Sequence, residues 1–206
     1  MPLIYVHNKP HWGLWKVEES SEQLFLMLEE HDAYSVELEK IHNEHRRQEW
    51  LAARLLLQHL LGRFSRIAYH ANGAPFLPAE PLQISISHTK GYVAVILSYQ
   101  AVGIDIEYRS DRILKVRSHF MTKEEDTAIN LEHEKEHLLI YWCAKETLYK
   151  MIGSEGVGFS DLHVRPFTFA DKGQISAYET FTPYCLEFLL SFQITDDYVL
   201  TYKIEN

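Results

Sequence analysis

Apolar residues recur at helical spacing from Val36 to Leu61, and strong helix formers gather at Leu51-Ala52-Ala53-Arg54-Leu55-Leu56-Leu57. The pattern predicts one long helix, stopped by Gly62. A turn is predicted at Asn72-Gly73-Ala74-Pro75, where glycine and proline sit together. Leu82 to Ser87 then alternates apolar with small polar residues, Thr89-Lys90-Gly91 reverses the chain, and Tyr92 to Leu97 is an apolar run rich in β-formers. Together these predict a hairpin.

The second half of the chain repeats that order. Placing Gly62 on Gly153 sets Ala53-Arg54 opposite Ala144-Lys145, and placing Tyr92 on Tyr198 sets Ile84-Ser85-Ile86 opposite Leu190-Ser191-Phe192. A helix followed by a hairpin, twice over, predicts an α+β fold of two similar lobes in a pseudo-two-fold arrangement, residues 1–100 and 101–206. Each lobe would be a small antiparallel sheet packed with a long helix, and the cleft between lobes is the expected place for a ligand. The copies differ at informative places: His88 faces Ile194 and Glu146 faces Leu55. Residues needed by the shared fold should occur in both copies, so polar residues present in one copy are candidates for chemistry.

Composition narrows the function classes. The chain is 46% hydrophobic and 24% charged, enough apolar material for a full core. Its longest apolar run, Leu138 to Ala144, is far short of the roughly 18 residues a membrane span needs, and no secretory leader pattern opens the chain, which predicts a cytoplasmic protein. Two cysteines, Cys143 and Cys185, are too few for a disulfide framework. A net charge of −9 opposes binding to a polyanionic backbone, so no nucleic-acid partner is expected. Against that balance, Arg109, Arg112, Lys115 and Arg117 form a basic strip on which an acidic partner could dock.

Three segments carry candidate chemistry. In Ala101-Val102-Gly103-Ile104-Asp105-Ile106-Glu107, period-two alternation puts the carboxylates of Asp105 and Glu107 on one face of an apolar strand. Paired carboxylates suit a hard cation such as magnesium, which prefers oxygen ligands and shares its shell with phosphates. In Trp142-Cys143-Ala144-Lys145-Glu146-Thr147-Leu148-Tyr149-Lys150, Glu146 and Lys150 are four apart and neighbours on a helix, on the face that the first copy fills with Leu55. In Ser87-His88-Thr89, a turn histidine flanked by hydroxyls can contact a phosphate. A fourth pattern competes: His133-Glu134-Lys135-Glu136-His137 matches the H-E-x-x-H of zinc peptidases, with Glu155 as a conceivable third ligand. Its polar surroundings predict a solvated helix start rather than ligands seated on a core.

Taken in order, Ile86-Ser87-His88-Thr89, Gly103-Ile104-Asp105-Ile106-Glu107 and Trp142-Cys143-Ala144-Lys145-Glu146 through Lys150 resemble the 4′-phosphopantetheinyl transferase superfamily, in its longer, surfactin-synthetase-activating type with two lobes in one chain. The resemblance runs from about Val36 to the C-terminal hairpin and includes His119-Phe120 followed by Glu124-Glu125. It implies transfer of the phosphopantetheine arm of coenzyme A to a serine of an apo acyl or peptidyl carrier protein, with release of adenosine 3′,5′-bisphosphate. It further implies that Asp105, Glu107 and Glu146 bind magnesium and that Lys150 lies near the pyrophosphate. His88 and Arg54 match positions that hold coenzyme A phosphates, and Gly73 to Pro75 match the turn beside the adenine. Glu146, or a water it holds, would take the serine proton. Ala74 departs from the family, which commonly places a cation there, and Thr147 replaces a usual Ala or Ser. The alternative from another class is a non-catalytic carrier-protein or coenzyme A binding module on the same fold. The zinc peptidase is the remote one.

Overall fold

The computed structural model describes residues 3–8, 11–153 and 155–203. The chain divides into two compact units, Met1–Gln100 and Ala101–Asn206. Each is a mixture of helix and antiparallel sheet, the α+β class. No helix among the described residues is long and apolar enough to cross a membrane.

The first unit contains β1 (Leu3–Asn8), β2 (His11–Lys16), α1 (Ser21–Met27), a 3-10 turn, α2 (Ser35–Glu39), α3 (Glu44–Leu61), β3 (Ala68–Tyr69), β4 (Pro75–Phe76), β5 (Gln83–Thr89) and β6 (Tyr92–Ser98). Its four-stranded sheet runs β1-β2-β6-β5, and β3 pairs with β4 around the turn at Asn72–Ala74. The apolar face of α3, with Leu51, Leu55 and Leu56, lies against Trp15, Val93 and Val95 of the sheet. One helix from Val36 to Leu61 was expected, and the structure has two. Asn43 is extended and its side chain accepts from the Arg46 amide at 2.9 Å, so residues 40–43 leave the helix and a new one, capped by Asn43, begins at Glu44.

The second unit contains β7 (Ile104–Tyr108), α4 (Arg112–Phe120), α5 (Lys123–Thr127), a 3-10 turn at Leu131–His133, α6 (Glu134–Ile152), a second 3-10 turn, β8 (Leu162–Val164), β9 (Lys172–Glu179), β10 (Glu187–Ile194) and β11 (Tyr198–Lys203). The five strands are ordered β7-β11-β10-β9-β8. Helix α6 packs on β11 and β7 as α3 packs on β6 and β2. Both long helices end alike, in a left-handed glycine whose amide reaches back four residues: Gly62 to Gln58 at 2.8 Å and Gly153 to Tyr149 at 3.1 Å. Gly103, just before β7, is a point of close approach. A Cβ there would lie 2.3 Å from the Thr147 carbonyl oxygen and 2.7 Å from Met151 Cγ, both on α6.

The strand pairings extend the internal repeat to a third element. Lys16 of β2 pairs with Tyr92, and Tyr108 of β7 pairs with Tyr198, the residues that align the two hairpins. Strand β7 is therefore the counterpart of β2, with Asp105 matching Gly13 and Glu107 matching Trp15. Counting back from the two helix-ending glycines, Glu146 matches Leu55 and Lys150 matches His59.

Candidate active site

In the first unit these positions form an apolar layer. Trp15 and Leu55 are fully buried, and the Trp15 ring meets the His59 ring edge-on at 5.5 Å. In the second unit the same layer is charged. Strand β7 supplies Asp105 and Glu107, on one face by alternation, and α6 supplies Glu146 and Lys150, one turn apart. Lys150 Nζ donates to Asp105 Oδ1 at 2.7 Å and to the Ile104 carbonyl at 3.0 Å, which ties the helix to the strand. The indole of Trp142 donates to Glu107 Oε1 at 3.0 Å. Thr147, also buried, shares a 2.6 Å hydroxyl contact with Thr201, the residue paired with Asp105 on β11. Thr147 thus fixes α6 on the sheet beside the carboxylates.

Three carboxylates facing one ammonium leave an excess of negative charge, and the titration behaviour reflects it. Burial, then repulsion from Asp105 and Glu107, raises Glu146 to about 7 against the pull of Lys150. Burial and Asp105 likewise raise Glu107, although the Trp142 hydrogen bond opposes them. The Cys143 thiol is pushed well up by burial and by the same carboxylates, so it is no nucleophile at neutral pH. A pocket of about 190 Å³ opens beside Glu107, with Arg112 and Ser110 on its polar wall and Ile113, Val116 and Leu139 on its apolar one. No three acidic, histidine or cysteine side chains among the described residues stand in a geometry that holds a metal ion without adjustment, and Lys150 takes one oxygen of Asp105.

In the first unit, His88 is exposed on β5 and touches Glu49 and Arg46 of α3. Ser87 is buried, because adjacent strand residues point to opposite faces. The structure thus sets His88 and Ser87, both expected at the phosphate, on opposite faces of β5. Gly73 and Ala74 form the β3–β4 turn, where the Ala74 amide donates to Asn72 Oδ1 at 3.1 Å, and Pro75 begins β4. Arg54 is 4% exposed: its guanidinium lies 3.1 Å from the Trp50 ring centroid and donates to the Trp50 carbonyl at 2.9 Å. Lys145, its counterpart in the repeat, is also buried, so the shared scaffold carries a cation at this helix position in both copies.

The structure narrows the basic strip and places the histidines of the zinc-peptidase pattern, against which the sequence already argued. The basic strip is half spent within the unit: Arg109 pairs with Glu136, and Arg117 pairs with Asp126 and Glu134. Arg112 and Lys115 remain exposed. The zinc-peptidase pattern fails on geometry, because its two histidines should share one helix. His133 precedes α6 and stacks on Phe169 at 4.4 Å, whereas His137 is 1% exposed, accepts from the Asn130 amide through Nδ1 at 2.9 Å, and is enclosed by Phe167 and Tyr141.

His137 instead gives the unit an acid sensitivity. Burial depresses its folded pKa below the ordinary 6.5, so its contribution to stability is complete above 6.5 and is lost as pH falls through the folded value. We predict that His137→Phe narrows the loss of stability between pH 7.5 and pH 5, read from urea midpoints. An unchanged loss would rule His137 out as the cause.

Comparison with known proteins identifies the family. The profile of the 4′-phosphopantetheinyl transferase superfamily matches residues 101–203, and that of the 4′-phosphopantetheinyl transferase N-terminal domain matches residues 37–98. The chain belongs to the 4′-phosphopantetheinyl transferase superfamily. It is 31% identical over 119 residues to 4′-phosphopantetheinyl transferase AcpT of Escherichia coli O157:H7, covering 52% of this chain and 59% of that one. It is 32% identical over 131 residues to a putative 4′-phosphopantetheinyl transferase of Haemophilus influenzae, covering 59% and 51%. A third relative, AcpT of Salmonella typhimurium, is 30% identical over 115 residues, covering 52% and 60%. The chain thus spans between about half and three fifths of the length of these relatives.

Proposed function

We propose that the chain transfers the 4′-phosphopantetheine arm of coenzyme A to a serine of an apo acyl or peptidyl carrier protein. The observation that carries the reading is the replaced layer: four positions that are apolar, small or aromatic in the first unit are Asp105, Glu107, Glu146 and Lys150 in the second. A scaffold does not need a buried charge excess, and that excess costs stability.

The donor set fits a hard divalent cation. All three acidic side chains offer oxygen only, and their mutual repulsion, visible in the raised Glu146 and Glu107, is what a dication relieves. Asp105, Glu107 and Glu146 would hold magnesium, which when bound neutralises charge on the pyrophosphate oxygens. The serine oxygen attacks the β-phosphorus of coenzyme A, the bond from that phosphorus to the bridging oxygen breaks, and adenosine 3′,5′-bisphosphate leaves. Glu146, or a water it holds, accepts the serine proton. Lys150, held on Asp105, meets the charge that grows on the leaving phosphate. His88 contacts a coenzyme A phosphate, and the turn from Gly73 to Pro75 lies beside the adenine. Arg54, whose guanidinium lies against the Trp50 ring, holds another coenzyme A phosphate in this scheme, as the resemblance implies.

The test is to incubate the protein with coenzyme A, magnesium and an apo carrier protein and to weigh the carrier. A gain of one phosphopantetheine group, absent with a chelator, is expected. A carrier that is bound but never modified would favour the non-catalytic module instead.

A further inference from the structure

The ion pair of Lys150 and Asp105 places an ammonium among the three carboxylates of the candidate site. Lys150 Nζ donates to Asp105 Oδ1 at 2.7 Å and to the Ile104 carbonyl at 3.0 Å. Its charge reaches the other two acids as well. Burial raises Glu146 and Glu107, and Lys150 draws both back, joined at Glu107 by the Trp142 indole and by Arg112. The two partners of the pair differ in freedom. The Asp105 side chain is 5% exposed and sits on β7 in register with Thr201 of β11, whereas the Lys150 side chain is 25% exposed, on a long flexible stem in the last turn of α6. When the pair parts, it is the lysine that moves.

A hard dication needs carboxylate oxygen, and Asp105 Oδ1 already accepts from a cationic donor. We propose that Lys150 is an exchangeable counter-ion of the three carboxylates: it neutralises them until a divalent cation loads, gives up Asp105 when the cation arrives, and so sets how tightly the site holds the metal. The cation is the one that the transferase reading above assigns to Asp105, Glu107 and Glu146, and the inference rests on that reading; the ion pair does not. The exchange has a magnitude. A ligand that binds only the minor, unpaired form is weakened by the fraction of that form, so a pair closed in about ten molecules for each one open lowers metal affinity about tenfold. It also has an order. Two of the three ammonium protons are engaged by Asp105 and Ile104 while the pair is closed, and loading the cation frees donors for the leaving phosphate. The lysine is thus offered to the substrate only once the charge of the carboxylates is met by the metal.

The test reads binding rather than turnover. Magnesium is titrated into the protein by calorimetry, without coenzyme A, and the lysine ammonium signals are followed by NMR of nitrogen-labelled protein, where an ion-paired ammonium is seen because its exchange with water is slow. The Lys150 signal is assigned by its loss in Lys150→Gln, and the fully buried Lys145, paired with Glu125, is the reference. At saturating magnesium the Lys150 signal is expected to disappear while that of Lys145 persists. Lys150→Gln should bind magnesium about tenfold more tightly than wild type, and Lys150→Arg, which keeps a cationic donor for Asp105, should not. The wild-type spectra decide the matter even where a variant folds poorly. A Lys150 signal that persists at saturating magnesium, or an unchanged affinity in Lys150→Gln, would overturn the exchange and leave the metal site standing. Magnesium bound by neither wild type nor Lys150→Gln, with coenzyme A or without it, would overturn the inference together with the metal assignment beneath it.

Discussion

Glu146→Gln is expected to remove transfer, with a loss of about a thousandfold or more, and at the same time to make the protein harder to unfold at alkaline pH. Both effects have one origin. A carboxyl raised to about 7 in the fold, against about 4.5 in the unfolded chain, contributes stability that is complete below 4.5 and is lost as pH rises through 7. At pH 8 the wild type bears the full cost of an ionised Glu146 beside Asp105 and Glu107, and glutamine bears none. The stability of the variant relative to wild type should therefore improve by about 2 kcal/mol between pH 5 and pH 8, after allowance for screening at the open side of the group. Urea titrations at the two values measure it. A constant difference would remove the basis for a charged, strained site. Asp105→Ala should abolish transfer equally but gain no such stability, because Lys150 then loses its 2.7 Å partner.

The largest loss of stability is expected elsewhere, at Lys145, the immediate neighbour of Glu146. Its ammonium is fully buried and donates to Glu125 Oε2 at 2.8 Å and to the Phe120 carbonyl at 2.6 Å. Glu125 in turn accepts from the Thr122 amide at 2.8 Å and, through Oε1, from the Val164 amide at 2.9 Å. One ion pair thus joins α6 to the end of α4, the cap of α5 and β8. Lys145→Met leaves an uncompensated buried carboxylate and should cost about 3 to 5 kcal/mol, enough to unfold a protein of ordinary stability. Glu125→Gln added to it should return more than half of that, since the amide keeps an acceptor and sheds the charge. Thermal melts of the single and double variants decide the matter: a harmless Lys145→Met, or a double variant no better than the single, would contradict this account of the pair.

Helix and hairpin could be seen twice in the sequence because each long helix ends in glycine and each hairpin keeps its Ile/Leu-Ser-Ile/Phe core and its tyrosine. The third repeated element could not. Strands β2 and β7 share no identical residue, since Trp15 answers to Glu107 and Gly13 to Asp105, and only their pairing with β6 and β11 reveals the match. Glu146 stood out in the sequence as the one that replaced a leucine. Glu49 did not, because it sits in a run of charged residues at the start of α3, where a carboxylate is unremarkable until its histidine arrives from β5. The break in the helix before Asn43 was hidden by apolar spacing that continues through it, a case of capping outweighing periodicity.

Position 103 inverts the usual ranking of what a protein can do without. Charged residues of the site can be exchanged for neutral ones of the same size while the backbone stays where it is. The residue with no side chain cannot grow by a single carbon, because the Thr147 carbonyl stands 2.3 Å from where that carbon would be. The gap between β7 and α6, across which Lys150 reaches Asp105, is gauged by a hydrogen atom. A library built to redirect this site could therefore vary the walls of the pocket beside Glu107 widely, and should leave the glycine untouched.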